Sequence, residues 1–292
     1  MMATEQKLFQ VLLMDGNING CVECFSQNWN VIAYKIPRNK VAEHIDDEDM
    51  NRTGVYFLFG APDEDSLKAQ VYIGQAGKRE SGDALITRVS EHVKGTDDEA
   101  YWTEAVLITT VDDTWGATEI SFLENYFYKL ASEASRYEVR NENTPASGHP
   151  RKEREIELVE AVQMGRYFLG ILGHKVLEPL VGIPNTEDAI KKSVAAIELT
   201  GHTKDGTGYG VQTSDGFVLK KGSVIASDEA ACLPGPIKKL RQELELDANR
   251  VLQKDVLFRR PSPAARVVAG STVSGSEFWQ DKDGRKLKDL DL

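Results

Sequence analysis

Cysteine is scarce: three in 292 residues, Cys21, Cys24 and Cys232. So few thiols rule out a disulfide-stapled scaffold and fit a reducing compartment. Cys21-Val-Glu-Cys24 is a single Cys-x-x-Cys. Zinc needs two further ligands, and neither a second cysteine pair nor the spacing of His44, His149, His174 and His202 offers them; structural or incidental thiols are expected. A run of about 18 apolar residues is also missing, so no membrane-spanning helix is expected. The start, Met-Met-Ala-Thr-Glu-Gln-Lys, lacks the apolar stretch of a secretory signal. A soluble, cytoplasmic protein with no membrane partner is expected. There is no internal repeat and no low-complexity tract, and 41% hydrophobic residues argue against disorder. Positive charge is in deficit, 35 Lys+Arg against 46 Asp+Glu for a net −11, which argues against a general polyanion binder.

What is present suggests more than one domain. Residues 51–150 hold 17 acidic and 9 basic side chains, whereas residues 206–292 hold 12 and 14 and are alone net basic. Short strands are expected over residues 7–36, with Lys7–Met14 strongly apolar, a turn at Asp15-Gly16 and a strand at Asn30–Tyr34 before Pro37. Thr53–Phe59 and Ala69–Gly74, rich in β-branched and aromatic residues, predict a β-hairpin with a long connection. A helix follows over Asp83–Lys94, with Asp83 as N-cap and Leu85, Val89 and Val93 at helical spacing. Ala105–Val111 predicts a buried strand, and Thr118–Ala134 a second helix with a broad apolar face. The order strand, strand, helix, strand, helix gives a small α+β domain.

Residues 142–152 are linker-like, with helical patterns over Glu153–Leu172 and Thr186–Leu199. Gly201–Gly210 suggests a second boundary. Beyond it come a hairpin turning at Asp215-Gly216, a helix near Ile237–Leu246, a strand at Ala265–Ala269 and a last hairpin at Asp283-Gly284. The expected organisation is a β-rich N-terminal extension (1–50), a central domain (51–145), a helical connector (146–205) and a small α+β tail (206–292).

Chemistry-bearing residues gather in the central domain. Tyr56 and Tyr72, 16 residues apart on paired strands, can share one sheet face. Arg88 and His92 stand at i,i+4 and share a helix face. Glu124 lies inside an apolar helix, among Phe122, Leu123 and Phe127. Gly74-Gln-Ala-Gly-Lys78 suggests a phosphate loop superficially but lacks the Gly-x4-Gly-Lys-Ser/Thr pattern.

Gly54-Val-Tyr56, Tyr72-Ile-Gly74, Arg88, His92, Glu124 and an asparagine at 141 or 143, in that order, resemble the GIY-YIG nuclease superfamily over about residues 53–145. Val55 stands where the family has isoleucine. The resemblance implies a metal-dependent endonuclease that hydrolyses phosphodiesters. It makes Glu124 the metal ligand for Mg²⁺ or Mn²⁺, Arg88 and His92 helix-borne site residues, and a hairpin tyrosine the general base, Tyr72 first and Tyr56 second. The site asparagine is Asn141 or Asn143, with Asn141 preferred. One carboxylate suits one ion that keeps several waters, and a two-ion clamp would need more. DNA is the expected partner, with RNA left open. Residues 7–50 resemble the N-terminal extension of one bacterial subfamily, and residues 208–288 an accompanying domain of unknown function.

The acidic central domain needs help to hold DNA. Lys220, Lys221, Lys238, Lys239, Arg241, Arg259, Arg260 and Arg266 of the tail are candidates for phosphate contacts; an ordinary solvated basic face is the alternative. The competing readings of the whole chain are a non-catalytic binding or scaffold protein that keeps the nuclease fold, and a structure-specific repair enzyme whose partner delivers the substrate.

Overall fold

A computed structural model describes residues 6–62, 68–78, 84–95, 101–180 and 197–290. The expected N-cap, Asp83, and most of the helix expected at 186–199 lie outside them. The described residues form an α+β structure that divides into two units, Met1–Glu178 and Pro179–Leu292. Among them, no helix is long and apolar enough to cross a membrane.

The first unit is built on a seven-stranded sheet of β1 (Gln10–Leu13), β2 (Val22–Phe25), β3 (Val31–Pro37), β4 (Gly54–Gly60), β5 (Gln70–Ala76), β6 (Trp102–Thr110) and β7 (Glu138–Val139), in the spatial order β1-β2-β3-β6-β4-β5-β7. All pairings are antiparallel except β5 with the two-residue β7. Strand β4 is buried along its whole length, because helices cover both faces; its apolar run is therefore continuous rather than alternating. On one face Val55, Phe57, Val71, Ile73 and Ile108 pack beneath α2 (Ala117–Ala134) and α3 (Lys152–Ile171). On the other, Tyr56, Leu58 and Leu107 pack with Leu85 and Val89 of α1 (Leu85–Val93) and Val41 of a short 3-10 helix, Arg38–His44.

Two expected boundaries fall where the fold has no break. Residues 1–50 are not a separate extension: β3 pairs with β6 from Val31 opposite Thr110 to Pro37 opposite Glu104, placing the N-terminal strands in the central sheet. Nor is α3 a connector, since Leu158, Val162, Met164 and Phe168 lie in the core beneath the sheet. The linker-like segment 142–152 is held down on α2. Asn125 Nδ2 donates to the Pro145 carbonyl at 2.7 Å and Ser121 Oγ to that of Ala146 at 2.9 Å.

The cysteines of the Cys-x-x-Cys stand on opposite faces, Cys21 with the α1-side core and Cys24 with the α2-side core. Odd spacing on extended chain separates them, so they form neither a bridge nor a chelate. Burial raises both thiols, Cys24 up to about 12.

In the second unit β8 (Glu198–His202), β9 (Thr207–Thr213), β10 (Gly216–Leu219) and β11 (Val256–Phe258) form an antiparallel sheet in the order β11-β10-β9-β8. Here three expectations are corrected. Leu199, the end of the expected helix, is strand. The boundary placed at 205 falls inside the β8–β9 hairpin, where His202 opposes Thr207. Its glycines seat rings rather than loosen the chain: a Cβ at Gly201 would lie 2.0 Å from the Phe278 ring, and one at Gly210 would lie 2.3 Å from Phe217. Ala265–Ala269 is not strand but the end of helix Pro261–Ala269, whose Ala264, Ala265, Val267 and Val268 are buried. A short apolar run suits either conformation, and Pro261 in the first turn favours the helix. The turn before Gly216 and a helix at Gly235–Glu243 agree with expectation. The last turn closes on one bridge, Gln280 with Lys286.

Candidate active site

Strand register decides which side chains meet. Pairing of β4 with β5 sets Tyr56 opposite Gly74 and Leu58 opposite Tyr72. Tyr56 and Tyr72 are thus diagonal neighbours on one face, ring centroids 6.1 Å apart. The two glycines of these strand motifs have spatial jobs. A Cβ on Gly74 would stand 2.4 Å from the Tyr56 ring and hydroxyl, and one on Gly54 would stand 2.3 Å from the Ile108 carbonyl oxygen. Without side chains there, the Tyr56 ring lies flat across β5 and β4 sits close against β6.

Helix α1 covers this face. Its Leu85, Ile86 and Val89 are buried, which leaves Arg88 and His92, one turn apart, beside the tyrosines. His92 Nε2 lies 2.9 Å from the Tyr56 hydroxyl, and the His92 ring is 5.5 Å from that of Tyr72. Arg88 pairs with Glu91 at 2.5 Å and hydrogen-bonds the Tyr56 hydroxyl. Tyr56 is 1% exposed. Burial, with the neighbouring Tyr72, pushes its phenol well above the usual range, and the Arg88 cation only partly opposes this.

Glu124 arrives from the other side of the sheet. Its helix, α2, packs Leu123 and Phe127 into the opposite core, while Glu124, 9% exposed, bonds the Gln75 side chain of β5. Burial pushes its carboxyl up to about 7, and the Gln75 hydrogen bond counters only part of that rise. Access comes from the shortness of β7, which pairs only Gln70 and Val71 of β5. Beyond Val71 the edge is completed by a side chain: Asn141 Nδ2 donates to the Ile73 carbonyl at 2.7 Å, and Asn141 Oδ1 accepts from the Ile73 amide at 3.1 Å. Geometry thus ties Asn141 to the sheet, whereas Asn143 is exposed.

Tyr72, Arg88, His92, Glu124, Asn141 and Asn143 line one cavity of about 670 Å³; Leu58, Tyr101, Trp102, Arg140, Glu142, Thr144 and Pro145 complete its wall. Tyr56 is not part of that wall and reaches it through His92 and Arg88. Sequence reasoning missed Gln75, Tyr101, Trp102 and Arg140. Of these, Trp102 lies three residues ahead of the expected strand Ala105–Val111 and belongs to it because β6 starts at Trp102.

The donor set can be tested against a metal. Among the described residues no group of three or more His, Cys, Asp or Glu side chains is placed to hold an ion. Glu124 is instead a single buried carboxylate on a polar cavity with room for water. That fits one hard cation keeping most of its water shell, and it does not fit a two-ion clamp.

The basic tail residues separate by environment. Arg241 is 5% exposed, and its guanidinium donates to the carbonyls of Ala226 at 2.6 Å, Asp228 at 3.2 Å and Val267. It holds the second unit together and is withdrawn from the phosphate-contact set. Lys220 pairs with Glu198 at 3.0 Å and Lys238 with Glu229 at 3.8 Å, and Arg266 donates to the Val273 carbonyl at 3.4 Å. Lys221, Lys239, Arg259 and Arg260 are exposed.

Residues 197–291 match a family described as a domain of unknown function (DUF4357). No curated protein and no solved structure matches this chain.

Proposed function

We propose that the chain is a metal-dependent endonuclease of GIY-YIG type that hydrolyses DNA phosphodiesters, working in a reducing, cytoplasmic compartment. One observation carries this reading. A guanidinium, an imidazole, a phenol and a lone buried carboxylate, drawn from three separate elements (α1, β5 and α2), line a single water-accessible cavity. Structural salt bridges and core tyrosines do not require that convergence.

In this reading Arg88 holds the non-bridging phosphoryl oxygens through its planar fork, and its ion pair with Glu91 fixes the fork's direction. Tyr72, on the cavity wall, first loses its hydroxyl proton to solvent, its phenolate favoured by the Arg88 cation lining the same cavity, and then accepts the proton of the attacking water. Tyr56, sealed behind it, orients Arg88 and His92, and His92 moves the proton onward. Glu124 and Asn141 define the β5-edge side of the site. Glu124 would hold one Mg²⁺ or Mn²⁺ ion, which when bound would supply electrostatic stabilisation of the phosphoryl charge and of the leaving oxygen. Lys221, Lys239, Arg259 and Arg260 are the exposed residues of that tail set, and in this reading they meet backbone phosphates.

The test uses purified full-length protein on plasmid and branched DNA with Mg²⁺, Mn²⁺ or EDTA. Cleavage is expected with either metal and absent in EDTA. Glu124→Gln and Arg88→Ala should each lower the rate by about 10²-fold or more. Nicking at equal rates by wild type and both variants points to a contaminant and leaves the scaffold reading. Replacing Arg259 and Arg260 together by Gln should lower the salt slope of DNA affinity by about 2; an unchanged slope removes the tail from the interface.

A further inference from the structure

We propose that the Tyr101–Trp102 end of the cavity receives an unpaired nucleobase, so that the preferred substrate is a single-stranded or unstacked nucleotide rather than continuous duplex. The inference rests on the nuclease reading for the polar end of the same cavity and adds the class of substrate.

Sheet register sets the dimensions. Tyr56, Leu58 and Gly60 face the same way along β4; they oppose Gly74, Tyr72 and Gln70 on β5, and Leu107, Ala105 and Trp102 on β6. Trp102, on β6, therefore lies two residues further along the sheet than Tyr72, about 7 Å, and two strands across from it, about 10 Å. The two rings stand toward opposite ends of one cavity, which Leu58 and Tyr101 also line.

The chemistry of the far end fits a base better than a second phosphate. Tyr101 is half-buried, with the Arg140 guanidinium 5.5 Å from its ring centre. Trp102 is held from behind by Arg38, whose guanidinium lies 4.7 Å from the indole and donates to the Trp102 carbonyl at 3.4 Å. The Trp102 indole N–H is buried with no acceptor among the described residues. Buried indole N–H groups normally find a partner. A base offers both requirements, a π-face for Tyr101 and Arg140 and ring carbonyls for a donor. Leu58 supplies an apolar floor between the two ends. A base inside a duplex presents only its edge and must leave the stack to enter such a pocket.

The experiment reads binding without cleavage, using full-length protein in EDTA. One oligonucleotide carries 2-aminopurine near its centre and is presented single-stranded or fully paired. Binding to the single strand should be about tenfold tighter than to the duplex, with quenching of the 2-aminopurine on binding. Tyr101→Ala should erase most of that preference, Tyr101→Phe should retain it, and Arg140→Ala should weaken binding to the single strand more than to the duplex. Equal affinity for the two forms, a bound 2-aminopurine that stays bright, or no binding of either form overturns the proposal whether or not Tyr101→Ala folds. The two readings fail separately. Tyr101-dependent binding of the single strand without Mg²⁺-dependent cleavage removes the nuclease and leaves the base pocket. Metal-dependent cleavage of duplex that ignores Tyr101→Ala does the reverse.

Discussion

Glu124 is where sequence, burial and chemistry meet in one side chain. Burial pushes its carboxyl up to about 7 from the usual 4.5, because it disfavours the charged form. Between those values the unfolded chain has released a proton that the folded chain retains. Stability therefore falls as pH rises from 4.5 toward 7 and levels off above. Glu124→Gln removes this titration and should exceed wild type by about 1–3 kcal/mol at slightly alkaline pH, with little difference near pH 5. Urea unfolding in EDTA across that range measures it, and a gap that does not change with pH refutes the assignment. Adding Mg²⁺ at alkaline pH should raise the wild-type midpoint and leave that of Glu124→Gln unmoved. Gly74 makes a second residue-scale prediction. Gly74→Ala drives a methyl into the Tyr56 ring, which has no room to yield, and should cost about 1–3 kcal/mol in thermal stability. Much of this site was legible beforehand, since alternation and i,i+4 spacing put Tyr56, Tyr72, Arg88 and His92 on facing surfaces. Gln75 and Arg140 were not, because their places depend on where a two-residue strand stops.

That stopping point is a property of the element. β7 is too short to cover β5, and the Asn141 amide continues the ladder in place of backbone. Asn141→Ala should leave the Ile73 amide and carbonyl without those partners and cost about 1–3 kcal/mol. Hydrogen exchange at Ile73 should quicken, while exchange at Phe57 in the middle of the sheet stays slow; unchanged protection at Ile73 would show that Asn141 carries no edge. Elements with a helical period, α1 and α2, or with an apolar run rich in β-branched and aromatic residues, β4, β5 and β6, were readable from their side chains. Two misreadings share a cause. Ala265–Ala269 is apolar apart from Arg266 and too short to carry a period that distinguishes helix from strand. Gly201–Gly210 resembles a linker because its glycines make room for Phe278, Trp279 and Phe217, rings distant in sequence. In both, tertiary packing supplied the deciding information.

At the scale of the whole chain, charge composition located the basic tail but not the division of the fold. The first 50 residues differ in composition from the next hundred yet share their sheet, and α3 is core to that sheet rather than a bridge from it. The division at Glu178 and Pro179 separates the hydrophobic core of the second unit from the two that flank the sheet of the first, and Arg241 tests what that separation means energetically. All three of its carbonyl acceptors, Ala226, Asp228 and Val267, belong to the second unit. Arg241→Ala strands them in a buried site and should cost about 3 kcal/mol or more. That cost should fall on the second unit alone. In hydrogen-exchange mass spectrometry, peptides from 216–219 and 261–269 should lose protection, whereas peptides from 54–60 and 102–110 keep theirs. If all four lose protection together, the chain unfolds as one cooperative body and its two units are not separate sources of stability. If only 216–219 and 261–269 respond, the cleavage proposed for the first unit should survive the substitution, and any fall in DNA affinity supports the phosphate contacts proposed for the tail.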